Sequence, residues 1–418
     1  MGLYADFSAF PLSGVRPLSV QFTDESTVDG DSVITDWEWS FGDSGVSNLQ
    51  NPLHTYLTGA VYSPTLKIIN KYFAFQIHNN YSGTWDRLIF ANGRFITTQH
   101  GGSGMTVKSS TDGITWVSST YPQPNPPNAP LVYGITWDGS NFIIVGQQMD
   151  LYGTGTSKVP ISPDGINWSL RTITPQLPFM DDIAFGNGRY LIGFSTLPRY
   201  SLNGINFYPC TVHGTIPGGY SFRRVEFVNG YFFMPGNLSG GAGNLYITST
   251  NATDVTVRTL PVTIDGNIPH PASIAYGNGI YVLTRGRYLP SQVLISTDLI
   301  NWTVHNVGFG SNWAHITFAD GKFFMTNPSL APSLTKTAYS TDGINWKEAT
   351  IIGTFDNRSY RGIAYGNDKF VTIANNSTET AESFINEDFA TITKTDYIDI
   401  ENTIAALRRR RDTIDDGF

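Results

Sequence analysis

The stretch Ile183-Ala184-Phe185-Gly186-Asn187-Gly188-Arg189-Tyr190 decides the fold, because the chain repeats it. Clear copies begin at Leu88, Ile274 and Ile363, and weaker copies begin at Ile135, Val225 and Ile316. The seven copies place these turn residues 42 to 49 residues apart: Gly93, Gly139, Gly188, Gly230, Gly279, Gly321 and Asp368. Regular recurrence at this period indicates a repeat architecture.

Each copy predicts one β-hairpin. An Asn-Gly or Asp-Gly pair supplies the positive φ angles that a tight hairpin turn requires. Apolar and aromatic residues alternate on both sides of that turn, as they do in strands with one buried face. The sequence therefore predicts a hairpin in every repeat.

A second motif follows about 20 residues later in most repeats. Its clear forms are Ser110-Thr111-Asp112-Gly113-Ile114-Thr115-Trp116, Ser162 to Trp168 and Ser340 to Trp346, its degraded forms are Ser201 to Phe207 and Ser296 to Trp302, and the fourth and seventh repeats lack it. Two hairpins in about 45 residues make a four-stranded blade. We therefore predict a seven-bladed β-propeller over residues 85–393, since closing a ring protects the sheet edges.

The second motif resembles a shortened Asp box of sialidase-like propellers, lacking one residue between the Asp and the Gly. The resemblance implies that the hydroxyl and the carboxylate fix the turn, while the aromatic residue packs between blades. The predicted structural anchors are Asp112, Trp116, Asp164, Trp168, Phe207, Trp302, Asp342 and Trp346. This motif predicts a fold and not an enzyme.

Residues 1–70 predict a smaller β domain. The segments Trp37 to Asp43 and Asn51 to Tyr56, with Gly14 to Val20 upstream, resemble the signature segments of the PKD domain. The resemblance implies an immunoglobulin-like β-sandwich that serves as a spacer or contact module. Strand alternation places Trp37, Trp39 and Phe41 on one core face, and Asp43 and His54 are predicted to be structural.

The composition of the chain argues against several classes of function. Charged residues are only 14% of the chain, against about 25% in ordinary domains. The net charge of −8 argues against nucleic acid as a partner. Cys210 is the single cysteine and the seven histidines have no ligand spacing, so we expect no metal or other cofactor. Met1 to Phe10 lacks an export signal and no 18-residue apolar run occurs, so we expect neither Sec export nor membrane insertion.

A catalytic site is not apparent in the repeats. A sialidase-type site needs three arginines, a Tyr activated by a Glu, and an acidic Asp; Arg87, Arg224 and Arg361 could face one another across a ring. Glu226 is the one clear glycosidase carboxylate, and paired carboxylates are the usual requirement. We therefore expect a protein that is not an enzyme.

The start of each first strand predicts a binding rim at one mouth of the channel. Aligned copies place Trp85, Met180, Phe222, Trp313 and Tyr360 at one offset; Arg87, Asp182, Arg224 and His315 lie two positions later, and Arg361 falls between. Aromatic platforms among polar groups suit carbohydrate or peptide capture. The alternative is that these side chains merely fill the channel.

The remaining segments predict a linker over residues 71–84 and a tail over residues 394–418. Ile404 to Leu407 precede Arg408, Arg409, Arg410 and Arg411, which predicts a short helix with cations at its C-terminal end. The tail could be solvated, could dock onto a partner chain, or could bind nucleic acid.

Three hypotheses about function follow. The first is a virion protein, such as a phage capsid decoration, tail or receptor-binding component, that binds other virion proteins and a host-surface polysaccharide. The second is a secreted or cell-surface adhesin. The third is a sialidase-like glycan-processing enzyme. The sequence favours the first, with the virion surface as its location.

Overall fold

A computed structural model describes these residues: 3–28, 34–78, 85–99, 106–122, 131–147, 157–177, 179–194, 197–238, 243–261, 271–285, 291–310, 313, 315–327, 337–352, 359–375, 380–395 and 397–401. Every regular element in these ranges is a strand, so the protein is all-β as predicted. No helix long and apolar enough to cross a membrane occurs in them. The chain forms two compact units, Met1–Phe73 with Ile385–Phe418, and Ala74–Phe384.

Ten strands belong to the N-terminal region. They are β1 (Leu3–Tyr4), β2 (Phe7–Phe10), β3 (Ser13–Val15), β4 (Leu18–Asp24), β5 (Thr27–Val28), β6 (Asp36–Ser40), β7 (Val46–Ser47), β8 (Leu53–Tyr56), β9 (Val61–Tyr62) and β10 (Thr65–His78).

The strands of the repeats follow. They are β11 (Trp85–Ala91), β12 (Arg94–Gln99), β13 (Thr106–Ser110), β14 (Val117–Thr120), β15 (Leu131–Trp137), β16 (Phe142–Gln147), β17 (Ser157–Ser162), β18 (Ser169–Ile173), β19 (Asp182–Gly186), β20 (Arg189–Gly193), β21 (Arg199–Ser201), β22 (Tyr208–Pro209), β23 (Thr211–His213), β24 (Tyr220–Ser221), β25 (Glu226–Val228), β26 (Tyr231–Pro235), β27 (Asn237–Leu238), β28 (Leu245–Ser249), β29 (Asp254–Thr259), β30 (Pro271–Gly277), β31 (Ile280–Arg285), β32 (Gln292–Ser296), β33 (Thr303–Asn306), β34 (His315–Ala319), β35 (Lys322–Thr326), β36 (Thr337–Ser340), β37 (Lys347–Glu348), β38 (Thr350–Ile352), β39 (Ser359–Gly366) and β40 (Lys369–Asn375). The last two strands are β41 (Thr380–Thr393) and β42 (Ile398–Glu401).

The first unit packs small sheets around an aromatic core. One sheet has the order β2-β4-β8, and β10 pairs with β6, which pairs with β7. In β6 and the residue that follows it, Trp39 and Phe41 are buried as predicted, and the ring centroids of Phe7 and Trp39 lie 5.2 Å apart. The Trp37 indole is partly buried and donates a 2.7 Å hydrogen bond to Asp24 Oδ2.

The end of the described chain completes this core, which corrects the predicted tail over residues 394–418. Strand β42 lies between β3, to which it is parallel, and β9, to which it is antiparallel. Its Ile398 and Ile400 are buried in the core of the first unit. Burial of these two side chains explains why the segment is a strand, since apolar area removed from water stabilises the unit. The predicted helix around Arg408, Arg409, Arg410 and Arg411 lies outside the described residues.

The predicted linker over residues 71–84 also needs correction. Strand β10 continues without interruption from Thr65 to His78, and its Ala74 to Gln76 pair with Thr350 to Ile352 of β38. Residues 385–393, predicted within the repeats, belong instead to the first unit. The strands β10 and β41 thus run without interruption through the residues at which the two units are divided.

The second unit contains a series of mostly antiparallel sheets that follow the repeats. Typical sheets have the orders β11-β12-β13-β14, β15-β16-β17-β18 and β30-β31-β32-β33. Their first strands contact one another in the order β11, β15, β19, β25, β30, β34 and β39, and β39 contacts β11. The series of sheets therefore returns to its start.

The repeated hairpin turn joins neighbouring sheets as well as neighbouring strands. Asn187 and Gly188 have φ angles of 49° and 71°, as a tight hairpin turn requires. The Asn187 Nδ2 also donates a 2.9 Å hydrogen bond to the Thr250 carbonyl oxygen in the next repeat. The equivalent bond from Asn367 Nδ2 reaches the Thr111 carbonyl oxygen at 2.6 Å, so it links the last repeat to the first.

The second motif forms a turn fixed by side chains. The Asp164 Oδ1 accepts hydrogen bonds from the backbone N–H groups of Ile166 and Asn167 at 2.9 and 2.8 Å. The Ser162 hydroxyl donates to the same carboxylate and accepts a 2.8 Å bond from the Gly165 N–H. Binding of the ionised carboxylate by these donors opposes the effect of burial and lowers its pKa.

The fourth repeat retains this turn, although its sequence predicted a loss. The Asn251 N–H donates a 3.3 Å bond to Ser249 Oγ, and Asn251 Oδ1 accepts a 2.9 Å bond from the Asp254 N–H. Ala252, at φ 60°, occupies the place of the usual glycine. The motif was missed because Ser249 to Asp254 keeps neither the Gly nor the aromatic residue.

The aromatic residues of the motif contact neighbouring repeats. Trp302 Nε1 donates to the Tyr246 hydroxyl at 3.0 Å, and Trp168 Nε1 donates to Ser119 Oγ at 3.3 Å. Trp116 and Trp346 instead donate to the carbonyl oxygens of their own motif glycines, Gly113 and Gly343, at 3.1 and 2.9 Å. These rings help to pack adjacent sheets together.

Candidate functional site

The residue just before each repeated aliphatic residue forms an inner ring in the second unit. We call this set the inner ring: Arg87, Gly134, Asp182, Arg224, Ser273, His315 and Gly362. A cavity of about 530 Å³ lies along the first strands and is lined at one end by Arg87, Asp182, Arg224 and His315, together with Glu226. The inner ring therefore brings together four residues of the predicted rim.

Arg87 and Asp182 form an ion pair between the first and third repeats. Gly134, the inner-ring residue of the second repeat, leaves the space that this pair needs: a Cβ there would lie 2.5 Å from Asp182 Oδ1. The Asp182 Oδ2 also accepts a 3.0 Å hydrogen bond from the Val225 N–H. Asp182 thus connects three repeats.

A second network occupies the other side of the inner ring. The Arg224 Nη2 donates to Glu226 Oε1 at 2.7 Å and to Ser273 Oγ at 3.1 Å, and it lies 3.1 Å from His315 Nδ1. The Ser273 hydroxyl donates to Glu226 Oε1 at 2.7 Å. The Glu226 Oε2 accepts the Ile274 N–H at 2.8 Å, so this network also binds the backbone of the next repeat.

Burial shifts the pKa of one residue in each network. Loss of hydration raises the pKa of Asp182 to about 6, although Arg87 and the Val225 N–H oppose the shift. Burial lowers the pKa of Arg224, while Glu226 opposes that change. The two guanidinium groups are thus each paired with one carboxyl group. The lining of the cavity can therefore offer hydrogen bonds to a neutral polar group without a large net charge.

The ion pairs of Arg87 and Arg224 are relevant to the sialidase-type site that was considered from the sequence, in which three arginines would bind the carboxylate of a substrate. Arg87 and Arg224 each bind a carboxylate of the protein itself. The side chain of Arg361 lies outside the described residues, as do those of Trp85 and Tyr360. Within the described part of the chain, no group of three or more His, Cys, Asp or Glu residues could hold a metal ion.

The prediction of exposed aromatic platforms is wrong for the residues whose side chains the structure describes. Met180, Phe222 and Trp313 are fully buried in hydrophobic clusters of the second unit. Trp313 Nε1 donates to Ser291 Oγ at 2.7 Å within that interior. Strict alternation fails because Met180, Phe222 and Trp313 precede their regular first strands, and register shifts occur at this position in other repeats.

Sequence alignment missed three inner-ring residues and undervalued Glu226. Gly134 and Gly362 carry no chemistry that a motif search detects, and Ser273 is an ordinary serine. Counting one residue back from each repeated aliphatic residue would have found all three, because that position fixes the direction of the side chain.

The polar end of the cavity coincides with the longer connections between strands. Six inner-ring residues lie in the first strands and Arg224 lies just before β25, toward the end where second strands such as β12, β16, β31 and β35 finish. Long segments connect these second strands to the third strands, from Gln99 to Thr106, for example, or from Thr326 to Thr337. Asn-Gly turns and the Ser-x-Asp motifs occupy the opposite ends of the strands.

His54 and Asp43 in the first unit have a structural arrangement. His54 Nε2 lies 2.8 Å from Asp43 Oδ2, and its ring stacks on Phe41 with centroids 4.1 Å apart. Asp43 Oδ1 accepts the Gly45 N–H at 2.9 Å. These contacts fix the turn after β6.

Comparisons with known proteins support both parts of the chain. Residues 13–73 match the family model described as PKD domain. The structure described as "YCF48 bound to D1 peptide" is similar with a TM-score of 0.52 and 13% identity, covering 74% of this chain and 96% of that chain. The WD40 β-propeller domain of Doa1 is similar with a TM-score of 0.51 and 9% identity, covering 74% and 97%. No curated protein matches the sequence. The chain therefore contains a PKD domain and a region with a β-propeller-like fold.

Proposed function

We propose that this protein is a non-enzymatic binding protein. In this proposal a PKD-type, immunoglobulin-like sandwich carries a seven-bladed β-propeller, and the propeller binds an extended segment of a partner protein. The segment binds at the inner ring. Seven first strands in contact, with β39 against β11, support the blade number.

The single observation that carries the proposal is the charge balance of the inner ring together with Glu226. Arg87 pairs with Asp182 and Arg224 pairs with Glu226, and all four line one end of the cavity. An extended peptide presents neutral N–H and C=O groups, which pair with such donors and acceptors. A propeller of similar fold is described as bound to a peptide, which is consistent with this mode.

A protein segment fits the site better than a glycan does. Sugar binding commonly uses aromatic platforms, yet Phe222 and Trp313, which were expected to provide them, are buried. Catalysis is less well supported, because Arg87 and Arg224 are already engaged by carboxylates. The virion surface stays our predicted setting, and electron microscopy of native particles with labelled protein would test it.

Peptide display against the full chain tests the proposed function. We expect the His315→Gln variant to bind the selected peptides about tenfold more weakly than the wild type does. This change corresponds to roughly 1.4 kcal/mol. His213→Gln is the matched control, because His213 is an exposed histidine on β23. Failure to select any peptide, or equal binding by wild type and His315→Gln at unchanged melting temperature, would contradict the proposal.

A further inference from the structure

The first strand of the first repeat, β11, has one edge that no other strand pairs with, because it is the end strand of its sheet. Its hairpin closes on the pair of Ala91 and Arg94, with a two-residue turn between them. Hydrogen-bonded and non-hydrogen-bonded pairs alternate from such a closing pair along an antiparallel ladder. Leu88 and Phe90 are therefore in non-hydrogen-bonded pairs, and their N–H and C=O groups point away from β12.

Equivalent residues in other repeats show where these N–H groups point. Ile316, which is equivalent to Leu88, donates its N–H to Ser273 Oγ at 3.3 Å. Phe185, which is equivalent to Phe90, donates its N–H to Thr136 Oγ1 at 3.2 Å. In both cases the acceptor is a side chain on the first strand of the preceding repeat. The repeated aliphatic and aromatic residues thus direct their N–H groups toward that neighbouring strand.

The first repeat has no such acceptors. The two corresponding positions on β39, the first strand of the preceding repeat, are Gly362 and Ala364, and neither has a polar side chain. Within the described part of the chain, no acceptor outside the ladder is found for the N–H groups of Leu88 and Phe90. Backbone donors away from bulk water are nearly always paired, so a partner for these two is expected.

The free edge of β11 can be reached from the cavity. Leu88, Ile89 and Phe90 all line it. The Leu88 side chain is buried in a hydrophobic cluster with Val371 and Ile373, so the backbone of Leu88 is the part that faces the cavity. The cavity volume of about 530 Å³ lies within the range of ligand-binding sites and far exceeds the space that one water needs.

We propose that the partner segment binds in an extended conformation along the free edge of β11, as an added strand. Its carbonyl oxygens accept the N–H groups of Leu88 and Phe90, and its own N–H groups donate to the carbonyl oxygens of these two residues. The proposal rests on the proposed function and specifies how that segment is bound. Arg87 of the inner ring directly precedes Leu88 in β11, so the same segment also reaches the charge-paired groups.

The spacing of these groups favours a peptide backbone over other ligands. Two residues along a strand span about 6.8 Å, and Leu88 and Phe90 each offer one donor and one acceptor at this repeat. An extended peptide presents the complementary groups at the same repeat, and main-chain hydrogen bonds to a sheet edge supply affinity in this binding mode.

Hydrogen exchange resolved to single amides tests the free edge. In the unbound full chain at neutral pH, the amides of Leu88 and Phe90 should exchange at least about tenfold faster than those of Ile316 and Phe185, which have acceptors. A peptide selected by display should slow exchange at Leu88 and Phe90 and leave the other two unchanged. Equally slow exchange of all four amides in the unbound chain would overturn the proposal.

Matched substitutions test the position of the segment. Ala364→Thr provides the hydroxyl that Thr136 has in the second repeat, so it should occupy the Phe90 N–H and weaken peptide binding about fivefold. Ala184→Thr is the control, because Ala184 is the equivalent buried residue of the third repeat and lines the same cavity. It should leave the affinity within about twofold. Equal losses in the two variants would mean that the segment does not bind along β11.

Ester substitutions in the peptide test the added strand without changing the protein. Replacing one backbone amide of the selected peptide by an ester removes one N–H donor. Affinity for the wild-type full chain should fall about fivefold at alternate positions only, because alternate residues of an added strand face β11. Equal affinities for all esters would overturn the added strand.

The outcomes separate this proposal from the proposed function. If a peptide binds but neither slows exchange at Leu88 and Phe90 nor responds to ester substitution, the β11 edge is not the binding surface, while the peptide-binding function stands. If no peptide binds the wild type, the proposed function fails and this proposal fails with it.

Discussion

Arg87 of the first repeat pairs with Asp182 of the third repeat across Gly134 of the second. We therefore expect Gly134→Ala to destabilise the second unit by about 1–3 kcal/mol, the usual cost of overpacking. Its Cβ would lie 2.5 Å from Asp182 Oδ1 and 2.8 Å from Asp182 Cα. Denaturant unfolding measures the effect.

Gly218→Ala is the control for this substitution, since a Cβ at Gly218 has no neighbour within 4 Å. It should change the free energy of unfolding by less than about 0.5 kcal/mol. Equal stability of the two variants would mean that Gly134 does not hold the space for the ion pair.

The turn of the second motif predicts a difference between two substitutions of Asp164. Asp164→Ala should destabilise the second unit by about 1 kcal/mol or more, since it leaves the Ile166 and Asn167 N–H groups without their acceptor. Asp164→Asn should cost much less, because Asn203 occupies the equivalent position in the third repeat and accepts the same two bonds at 2.9 Å. Thermal unfolding of both variants at neutral pH checks this order, which equal losses would contradict.

Acid should weaken the same turns. Burial opposes ionisation of Asp112 and Asp342, but backbone N–H groups outweigh it and lower the pKa of each carboxyl to about 2. An unfolded Asp titrates near 3.9. The stabilisation is therefore complete above about pH 4 and is lost as the pH falls toward about 2.

The double variant Asp112→Asn with Asp342→Asn checks this pH dependence. Its melting temperature should fall less steeply than that of the wild type between about pH 4 and pH 2, because two titrating groups are gone. An unchanged slope would show that other carboxyl groups control acid unfolding.

The C-terminal strand should be necessary for the stability of the first unit. Ile400→Ala is expected to cost about 2–4 kcal/mol, because Ile400 is only 3% exposed in the core. Asp399→Ala, in the same strand but exposed, should have little effect. Hydrogen exchange of peptides from β4 and β6 measures the stability of this unit separately.

Unchanged exchange in the Ile400→Ala variant would show that β42 is dispensable. A truncated variant that ends before Ile398 offers a stronger form of the same test, since it removes both buried isoleucines. We expect faster exchange throughout β4 and β6 in the truncated variant.

The sequence predicted much of the fold but less of the candidate site. The PKD domain and the propeller-like repeats could be recognised because their signals lie in short segments, such as Trp37 to Asp43 and Ile183 to Tyr190. The alignment grouped Arg87, Asp182, Arg224 and His315, and all four line one cavity in the structure. Phe222 and Trp313 were misplaced, because strand alternation does not extend into the irregular segments before the first strands.

The sequence by itself determined the turns, since each depends on residues close together in the chain. Asn187 and Gly188 adopt positive φ angles next to one another, and Asp164 binds N–H groups two and three residues away. Tertiary structure alone decided that Arg87 meets Asp182, 95 residues later. It also decided that Asp399 pairs with Ser13. Such relationships depend on which distant segments pack together, and local residue patterns carry no record of that packing.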